Sequence, residues 1–348
     1  MTGHVIVLGS GSWGITLANL LATGRYPVSI WPPREEELTL LTSKREHPSV
    51  LPGIRLDDRI TVTSTPIIQG NPLHIIVAVP SHAVRPVLKT LELIEFPHPE
   101  STVICAAKGI ETDTLCRMSE VMNQELHASW SSRTVILSGP SHAEEVSRGI
   151  PTAIVVASES VSTAATAQSL LARERFRVYV SDDVAGVELG GSLKNVIAIA
   201  AGISDGLGYG DNTKGALLTR GMVEIARLGE VLGARTATFA GLTGMGDLIT
   251  TCISKHSRNR FVGEALGRGR SLPDILEEMT MVAEGVKTTR AAMALARKHA
   301  VSMPITKQVH RILFEGLDPS KAMLELMMRD PKTEDGVPIK QLMDKENT

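Results

Sequence analysis

The chain has 348 residues, 43% of them hydrophobic, and a formal net charge of −2. This length and apolar content predict a large core and two domains, and the near-neutral charge argues against a nucleic-acid partner, which would require a basic face. Three cysteines without CxxC spacing favour a reduced cytoplasmic compartment, and we expect neither a signal peptide nor a transmembrane segment. The ten histidines show no HxxxH or HExxH spacing, so we expect no metal site.

The first predicted strand leads directly into a glycine-rich turn. Residues 4–8 are a continuous apolar run, typical of a parallel strand buried on both faces, and Gly9-Ser-Gly-Ser-Trp-Gly14 follows them. A GxGxxG turn between a strand and a helix indicates a dinucleotide site. Gly9 permits the tight turn, Gly11 lets the backbone approach a pyrophosphate, and Gly14 lets the helix pack on the strand. We therefore expect the dinucleotide to contact Gly9, Gly11, Ser12, Trp13 and Gly14.

The second predicted strand, 28–31, ends just before Pro32, Pro33 and Arg34. An NAD site usually has an acidic residue in this neighbourhood, about 20 residues beyond the glycines, to bind the ribose hydroxyls. Arg34 instead suits the 2′-phosphate of NADP. Residues 35–37 are glutamates, which we interpret as the first turn of a helix. The sequence therefore favours NADP, with NAD left open.

Further apolar segments predict the rest of a largely parallel sheet. They are residues 60–63, 73–79, 102–106, 134–137, 151–157 and 176–180. Lys108 and the segment 138–143 follow two of these strands, at the edge where open α/β folds bind ligands. After Asp182 the strand pattern gives way to helical periodicity. We expect an α/β Rossmann-type N-terminal domain (1–182), an all-α C-terminal domain (183–335) and a frayed tail (336–348).

Lys194 lies in an otherwise small and apolar helical pattern. Gly191 and Gly190 precede it by three and four residues, so a helical lysine side chain would lie over two residues that have no side chain. The pattern predicts either a groove that admits a planar ring and a small substrate, or a tight helix contact with Lys194 extending to solvent.

Two later segments also carry functional groups. Asp247 and Thr251 are one helical turn apart and can face the same pocket. A hydroxyl, a guanidinium and an amide, those of Ser257, Arg258 and Asn259, open another apolar helical pattern and are suited to hold a phosphate. The alternatives are a helix cap at Asp247 and a solvated capping turn at residues 257–259.

Motifs along nearly the whole chain resemble those of the bacterial NAD(P)-dependent glycerol-3-phosphate dehydrogenases. They are Gly9-Ser-Gly-Ser-Trp-Gly14, Ala107-Lys-Gly109, Ser138-Gly-Pro-Ser141, Leu193-Lys-Asn-Val196, Gly244-Met-Gly-Asp-Leu248 and Ser257-Arg-Asn259. The resemblance implies a Rossmann-type domain followed by a helical domain, usually as a homodimer. It also implies interconversion of sn-glycerol 3-phosphate and dihydroxyacetone phosphate, which supplies glycerophospholipid synthesis.

The resemblance further implies roles for individual residues. Lys194 resembles the general acid/base, since a lysine of lowered pKa can give a proton to the alkoxide formed by hydride transfer. Lys108 and Asp247 complete the implied catalytic set. Implied substrate contacts are Lys108, Gly139, Ser141, Lys194, Asp247, Thr251, Ser257, Arg258 and Asn259. Implied coenzyme contacts, besides the glycine-rich turn and Arg34, are Lys108, Ala143, Arg258, Val282 and Glu284.

One departure from the family pattern bears on the coenzyme. Pro32 and Pro33 stand where a basic residue commonly follows the tryptophan of the second strand, so Arg34 would replace it with a one-residue shift. Two other functions remain open at this point. One is a β-hydroxyacid or ketopantoate-type reductase, whose substrate lacks the phosphate; the other is a nucleotide-sensing protein without turnover.

Overall fold

The structure, a computed structural model, describes residues 3–66, 73–91, 97–279, 281–331 and 333–334. Residue 335 and the predicted tail, 336–348, lie outside the described residues. Strands are interspersed with helices up to Ser181, and helices follow from Val184 to Met327. The α/β class predicted for the first part and the helical class predicted for the second are confirmed.

Eight strands form one sheet in the N-terminal part. They are β1 His4–Leu8, β2 Val28–Trp31, β3 Thr61–Val62, β4 Leu73–Val77, β5 Thr102–Cys105, β6 Thr134–Ser138, β7 Thr152–Ala157 and β8 Phe176–Ser181. Their order across the sheet is β3-β2-β1-β4-β5-β6-β7-β8. The first six strands thus follow the order of a doubly wound dinucleotide-binding sheet.

Neighbouring strands are parallel except β6 and β7, which are antiparallel. The only helix between these two strands is the short α5, Ala143–Val146. A parallel neighbour usually follows a full helix that crosses the sheet, whereas here the chain returns beside β6 in the opposite direction. The apolar strand pattern did not reveal this reversal.

Helices cover both faces of the sheet, which explains why β1 is a continuous apolar run. Alternate residues of β1 enter two different cores, one shared with α1, Ser12–Ala22, and the other with α3, Ser81–Leu88. The remaining helices of this part are α2 Glu35–Lys44, α4 Met118–Glu125, a 3₁₀ helix Ala128–Arg133 and α6 Val161–Leu171.

Helix α7, Val184–Gly206, forms the centre of the C-terminal part, and its residues from Gly186 to Ser204 are all buried. Within the described ranges it is the one helix long and apolar enough to cross a membrane, but 89% of its most apolar stretch is enclosed by the protein. It is therefore a core helix. The other helices are α8 Asp211–Val231, α9 Thr236–Phe239, α10 Asp247–Ile253, α11 Arg258–Gly267, α12 Leu272–Glu278, α13 Glu284–Lys298, α14 Pro304–Glu315 and α15 Pro319–Met327.

Helices α7 and α11 cross with their backbones in direct contact. A Cβ atom added to Gly263 would lie 2.0 Å from the carbonyl oxygen of Ile199, and one added to Gly202 would lie 2.0 Å from that of Arg260. Gly206 and Gly267 approach each other in the same way one turn further on. No side chain fits between the helices, and this contact fixes the start of α11 beside the middle of α7.

The glycine crossing predicts a loss of stability on Gly263→Ala. The added methyl group would meet backbone rather than a movable side chain, so we expect the free energy of unfolding to fall by about 3 kcal/mol, as in other overpacked cores. The measurement is urea unfolding followed by circular dichroism.

Gly215→Ala is the matched control, because Gly215 is exposed on α8 and a Cβ there would meet nothing within 4 Å. This change should stabilise the protein by up to roughly 1 kcal/mol, through helix propensity alone. Equal unfolding midpoints for the two variants would contradict the close crossing.

Candidate active site

The glycine-rich turn lies between β1 and α1, at the carboxyl edge of the sheet. Gly9 has φ +113°, a value that side chains rarely allow, and a Cβ atom on Gly14 would lie 2.1 Å from the carbonyl oxygen of Gly9. A Cβ atom on Gly11 would meet nothing within 4 Å. Gly9 and Gly14 are thus required by the turn itself, whereas Gly11 leaves open space before the free N–H groups of α1. This geometry fits a dinucleotide pyrophosphate.

Other predicted coenzyme residues lie around the turn. Ser12 begins α1 and is buried, and the indole Nε1 of Trp13 is buried without a hydrogen-bond partner among the described residues. The carbonyl oxygen of Ala143 accepts a long hydrogen bond, 3.4 Å, from the Thr16 hydroxyl of α1. The structure therefore brings Ser12, Trp13 and Ala143 together at one edge of the sheet.

Arg34 lies near the same turn, but its guanidinium is paired. Its Nε donates to Oε1 of Glu37 at 2.8 Å, and the side chain is otherwise 68% exposed. Glu37 also accepts a hydrogen bond from the hydroxyl of Ser10, within the glycine-rich turn. The sequence predicted Glu37 in the first turn of a helix, and this is confirmed. It did not reveal that the Glu37 carboxylate reaches the glycine-rich turn.

Two lysines and one aspartate meet where the sheet joins the helices. Lys108 follows β5 and donates from Nζ to Oδ2 of Asp247 at 2.7 Å. Lys194, from the middle of α7, donates to the other oxygen, Oδ1, also at 2.7 Å, and to the hydroxyl of Thr251. Thr251 in turn donates to Oδ1 at 3.2 Å. The predicted residues Lys108, Lys194, Asp247 and Thr251 therefore form one connected cluster.

Burial and charge act in opposite directions within this cluster. Burial lowers the pKa of Lys194 to about 8, although the attraction of Asp247 works against the shift. Burial alone would raise the pKa of Asp247, but the two neighbouring ammonium groups outweigh it and the pKa is lowered. Near neutral pH the cluster thus holds one anion between two cations. It is suited to an anionic substrate and to proton exchange.

The position of Asp247 is set by a π-helical turn, Leu242–Gly246, immediately before α10. The Thr243 hydroxyl in this turn donates to the carbonyl oxygen of Val187 in α7 at 2.8 Å. Gly244 packs so closely that a Cβ atom would lie 2.1 Å from the carbonyl oxygen of Phe239. Gly244 is therefore needed for this turn, which reaches α7 through Thr243.

The predicted groove above Gly190 and Gly191 is wrong. A Cβ atom on Gly190 would lie 2.7 Å from the carbonyl oxygen of Thr243, and one on Gly191 would lie 2.3 Å from the Ser138 hydroxyl. The end of β6 and the π-helical turn fill this space. The two glycines serve close packing, as in the alternative interpretation, but Lys194 is buried rather than extended into solvent.

Gly139 and Ser141 surround Lys108. Gly139 has φ +127°, and its carbonyl oxygen accepts from Nζ of Lys108 at 2.8 Å and from the Ser141 hydroxyl at 3.0 Å. The turn after β6 therefore holds Lys108 together with Asp247.

Only part of the phosphate site predicted at residues 257–259 is available to a ligand. The Ser257 hydroxyl caps α11 by accepting from the backbone N–H of Arg260 at 3.2 Å. Asn259 donates to Asn195 of α7 at 2.9 Å and accepts from the backbone N–H of Gly285 at 2.8 Å. These contacts match the capping alternative for Ser257 and make Asn259 a bridge between α7 and α13. The Arg258 side chain is exposed, and its guanidinium makes no hydrogen bond or ion pair with the described residues, although Glu144 and Glu284 attract it electrostatically.

Glu284 connects the helical part to the sheet. Its carboxylate accepts from the backbone N–H of Ser81 at 2.9 Å and from the Ser81 hydroxyl at 2.6 Å. Ser81 begins α3 just after β4, and Gly109 lies against the same pair of side chains. Val282, two residues earlier, is 36% exposed. Of the two predicted coenzyme residues of this segment, Glu284 therefore lies at the carboxyl edge, where it is engaged with Ser81.

The sequence analysis assigned no role to Ser81 or His142. Ser81 could have been found from its place directly after a strand. The Nε2 of His142 is buried without a partner among the described residues, and burial, followed by the charge of Lys194, lowers its pKa. Across the described ranges, no group of His, Cys, Asp or Glu side chains is placed to hold a metal ion.

Sequence models of one protein family match most of the chain. The model described as NAD-dependent glycerol-3-phosphate dehydrogenase N-terminus matches residues 4–164, and the model described as its C-terminus matches residues 183–324.

Curated proteins of the same description are similar over nearly their whole length. Glycerol-3-phosphate dehydrogenase (NAD(P)+) of Pelotomaculum thermopropionicum is 51% identical over 334 residues, covering 94% of this chain and 94% of that protein. The protein of the same name from Bacillus licheniformis is 48% identical and covers 93% of this chain and 94% of its own length.

Solved structures agree in fold. The crystal structure of glycerol-3-phosphate dehydrogenase from Coxiella burnetii has a TM-score of 0.87 and 36% identity, covering 94% of this chain and 99% of that one. A ketopantoate reductase from Ralstonia eutropha has a TM-score of 0.55 at 13% identity, with 92% of this chain and 99% of that one covered, and shares the fold alone.

The lowered pKa of Lys194 predicts a specific pH dependence of stability. Below pH 8 the lysine is charged in both the folded and the unfolded state, so the full cost of its burial is present. Between pH 8 and the ordinary value of 10.5 the folded state loses the proton first, and the cost disappears. The stability of Lys194→Met relative to wild type should therefore fall by about 3 kcal/mol across this window.

The measurement is urea unfolding of both proteins at several pH values from 7 to about 11, the upper end chosen to pass the pKa of an ordinary lysine. Lys298→Met, which replaces an exposed lysine of α13, should give a difference that does not change with pH. A flat difference for Lys194→Met as well would show that folding does not shift the pKa of Lys194.

Proposed function

The chain belongs to the NAD-dependent glycerol-3-phosphate dehydrogenase family, and we propose that it interconverts sn-glycerol 3-phosphate and dihydroxyacetone phosphate by hydride transfer, with Lys194 as the general acid/base. The observation that carries the proposal is the buried Lys194 ammonium, whose pKa burial lowers to about 8. A group of this pKa can both give and take a proton near neutral pH.

In the direction of reduction, Lys194 donates its proton to the oxygen of the substrate carbonyl as that oxygen becomes an alkoxide. The reduced nicotinamide supplies the hydride when bound. The bond between Nζ and the proton breaks, the O–H bond of the alcohol forms, and Lys194 is left as a neutral amine beside Asp247 and Thr251. In the reverse direction the neutral amine takes the hydroxyl proton.

Asp247 and Lys108 support this proton transfer electrostatically. The Asp247 carboxylate offsets the repulsion between the two ammonium groups. The hydrogen bond to the Thr251 hydroxyl helps to fix the position of the Lys194 amine. Lys108, fixed by Asp247 and by the carbonyl oxygen of Gly139, adds a positive charge for a developing alkoxide or a substrate oxygen.

The substrate phosphate is assigned to the start of α11. Arg258 is exposed and has no protein partner among the described residues, so its guanidinium is free to bind a phosphate in the bidentate manner. The first N–H groups of a helix lack intrahelical partners and also favour an anion. Ser257 and Asn259 support this position indirectly, by capping α11 and by tying it to α7 and α13.

The coenzyme is assigned to the glycine-rich turn, Trp13, Ala143 and the Ser81–Glu284 region. Arg34 is the feature that favours NADP over NAD, and its ion pair with Glu37 opposes that preference. The proposal also includes a homodimer, a cytoplasmic location and a supply of glycerol 3-phosphate to phospholipid synthesis, each of which the family resemblance implies.

The first test is the oxidation of NADPH, and separately of NADH, on addition of dihydroxyacetone phosphate. We expect wild type to consume coenzyme and Lys194→Ala to lose at least about a hundredfold in kcat, since general acid catalysis typically contributes on the order of 10²–10⁴ in rate. Lys298→Ala, an exposed lysine of α13, serves as the control and should keep the wild-type rate.

The pH profile of wild type tests the same assignment. Because Lys194 must be protonated to reduce the ketone, the rate of reduction should fall as pH rises through about 8, and the rate of oxidation should rise over the same interval. A folded, coenzyme-binding wild type that consumes neither coenzyme would instead favour a different reductase or a nucleotide sensor.

A second test concerns the phosphate. Arg258→Ala should lower kcat/KM for dihydroxyacetone phosphate by about a hundredfold, which corresponds to roughly 3 kcal/mol for a lost charge-assisted contact. Activity with dihydroxyacetone, which has no phosphate, should change far less. Arg297→Ala, at an exposed arginine of α13, is the control. An equal loss with both substrates would place the phosphate elsewhere.

A further inference from the structure

Four side chains meet beside the glycine-rich turn, at the end of β2. The Glu37 carboxylate accepts from the Ser10 hydroxyl through Oε2 and from the Arg34 guanidinium through Oε1. His47 lies behind it, with a buried Nε2 3.9 Å from Oε1 and Nδ1 3.2 Å from the Ser49 hydroxyl. We refer to Ser10, Arg34, Glu37 and His47 as the Glu37 cluster.

The position of the cluster is that of the adenosine ribose in this class of fold. Ser10 is the second residue of the glycine-rich turn, and the backbone N–H of Gly9 donates to the carbonyl oxygen of Trp31, the last residue of β2, at 2.9 Å. In doubly wound sheets the ribose lies across the carboxyl ends of these two strands. A carboxylate is therefore present where NAD sites keep an acid, although it comes from α2 rather than from the end of β2.

The hydrogen bonds of Glu37 leave room for one more donor. A carboxylate has about four acceptor positions. Arg34 uses Oε1 through both Nε and Nη2, and Ser10 uses one position on Oε2, so one position on Oε2 is left. A ribose hydroxyl can donate to it. A 2′-phosphate brings negative charge toward the carboxylate and, when ionised, has no donor to offer.

The same contacts reduce what Arg34 can give to a phosphate. Its Nε and one terminal nitrogen both donate to Glu37, so these N–H donors are already used. The Glu37 carboxylate also offsets much of the guanidinium charge. The Glu37 side chain is 11% exposed and His47 is 7% exposed, so the carboxylate has little freedom to swing away.

We propose that Glu37 sets the coenzyme preference of this chain: its carboxylate accepts a hydrogen bond from one ribose hydroxyl of NAD(H) and weakens the attraction of Arg34 for the 2′-phosphate of NADP(H). This inference rests on the proposed function only in requiring that a nicotinamide dinucleotide binds at the glycine-rich turn.

The test is equilibrium binding of NAD+ and NADP+, measured by isothermal titration calorimetry without substrate. Glu37→Gln removes the charge but keeps an oxygen for Ser10. We expect the ratio of the two dissociation constants to shift toward NADP+ by about tenfold or more, through tighter NADP+ binding and weaker NAD+ binding. Adding Arg34→Leu to Glu37→Gln should remove the gain for NADP+.

Glu36→Gln is the matched control. Glu36 is exposed in the same first turn of α2 and carries the same charge, so its replacement should leave the ratio unchanged. Arg34→Leu in the wild-type background is a second, independent test, since an arginine neutralised by Glu37 should affect NADP+ binding by less than about threefold.

Several results would overturn the inference. One is a shift no larger for Glu37→Gln than for Glu36→Gln; another is an equal weakening of both coenzymes, which a purely structural role would give. A tenfold or greater loss of NADP+ binding on Arg34→Leu alone would do the same, even if Glu37→Gln fails to fold. If the folded wild type binds neither coenzyme, the proposed function fails together with the inference. If both bind but no substrate turns over, only the proposed function fails.

Discussion

The Asp247 carboxylate holds two buried or half-buried ammonium groups within hydrogen-bond distance of a single side chain. Bringing two cations together inside a protein is costly, and one shared anion reduces both their repulsion and the cost of removing them from water. Lys108 comes from the sheet and Lys194 from the helical core, so the same carboxylate also joins the two parts of the chain. The rest of the structure can be understood as the means of keeping these three groups in register.

Small residues provide that register, because they let backbones rather than side chains determine distances. Gly191 brings α7 against Ser138 at the end of β6, and Gly190 brings it against the π-helical turn that precedes Asp247. The Gly202 and Gly263 contact does the same for the start of α11, where Arg258 lies. A helix placed by close backbone contact has little freedom to shift, which limits the relative movement of the lysine, the aspartate and the arginine.

The sequence was sufficient to predict the secondary-structure elements, but it was not sufficient to predict several of the side-chain contacts. Apolar segments predicted all eight strands, and the GxGxxG spacing located the turn whose glycines have the expected geometry at Gly9 and Gly14. The convergence of Lys108 and Lys194 on Asp247 could be anticipated only through the family resemblance, since their separations along the chain carry no periodic signal. Partners across large separations were not predictable at all: Glu37 with Ser10, Asn259 with Asn195, and Glu284 with Ser81. The prediction of a groove over Gly190 was wrong for the same reason, because the residues that fill this space come from distant segments of the chain.

The antiparallel β7 has a consequence for how α7 is delivered to the site. Because β7 runs against β6 and β8 runs with β7, the chain leaves β8 level with the middle of β6 and not beyond its carboxyl end. Helix α7 therefore runs alongside β6 before it reaches the carboxyl edge of the sheet, where Lys194 lies. Each residue of an α-helix is rotated by about 100° from the one before it. The number of residues between the end of β8 and Lys194 therefore determines the direction in which the Lys194 side chain points. Substitutions in the first turns of α7 keep that count, whereas an insertion or deletion of one residue there would direct the amine away from Asp247. On this geometry, the number of residues between the end of β8 and Lys194 decides whether the amine faces Asp247.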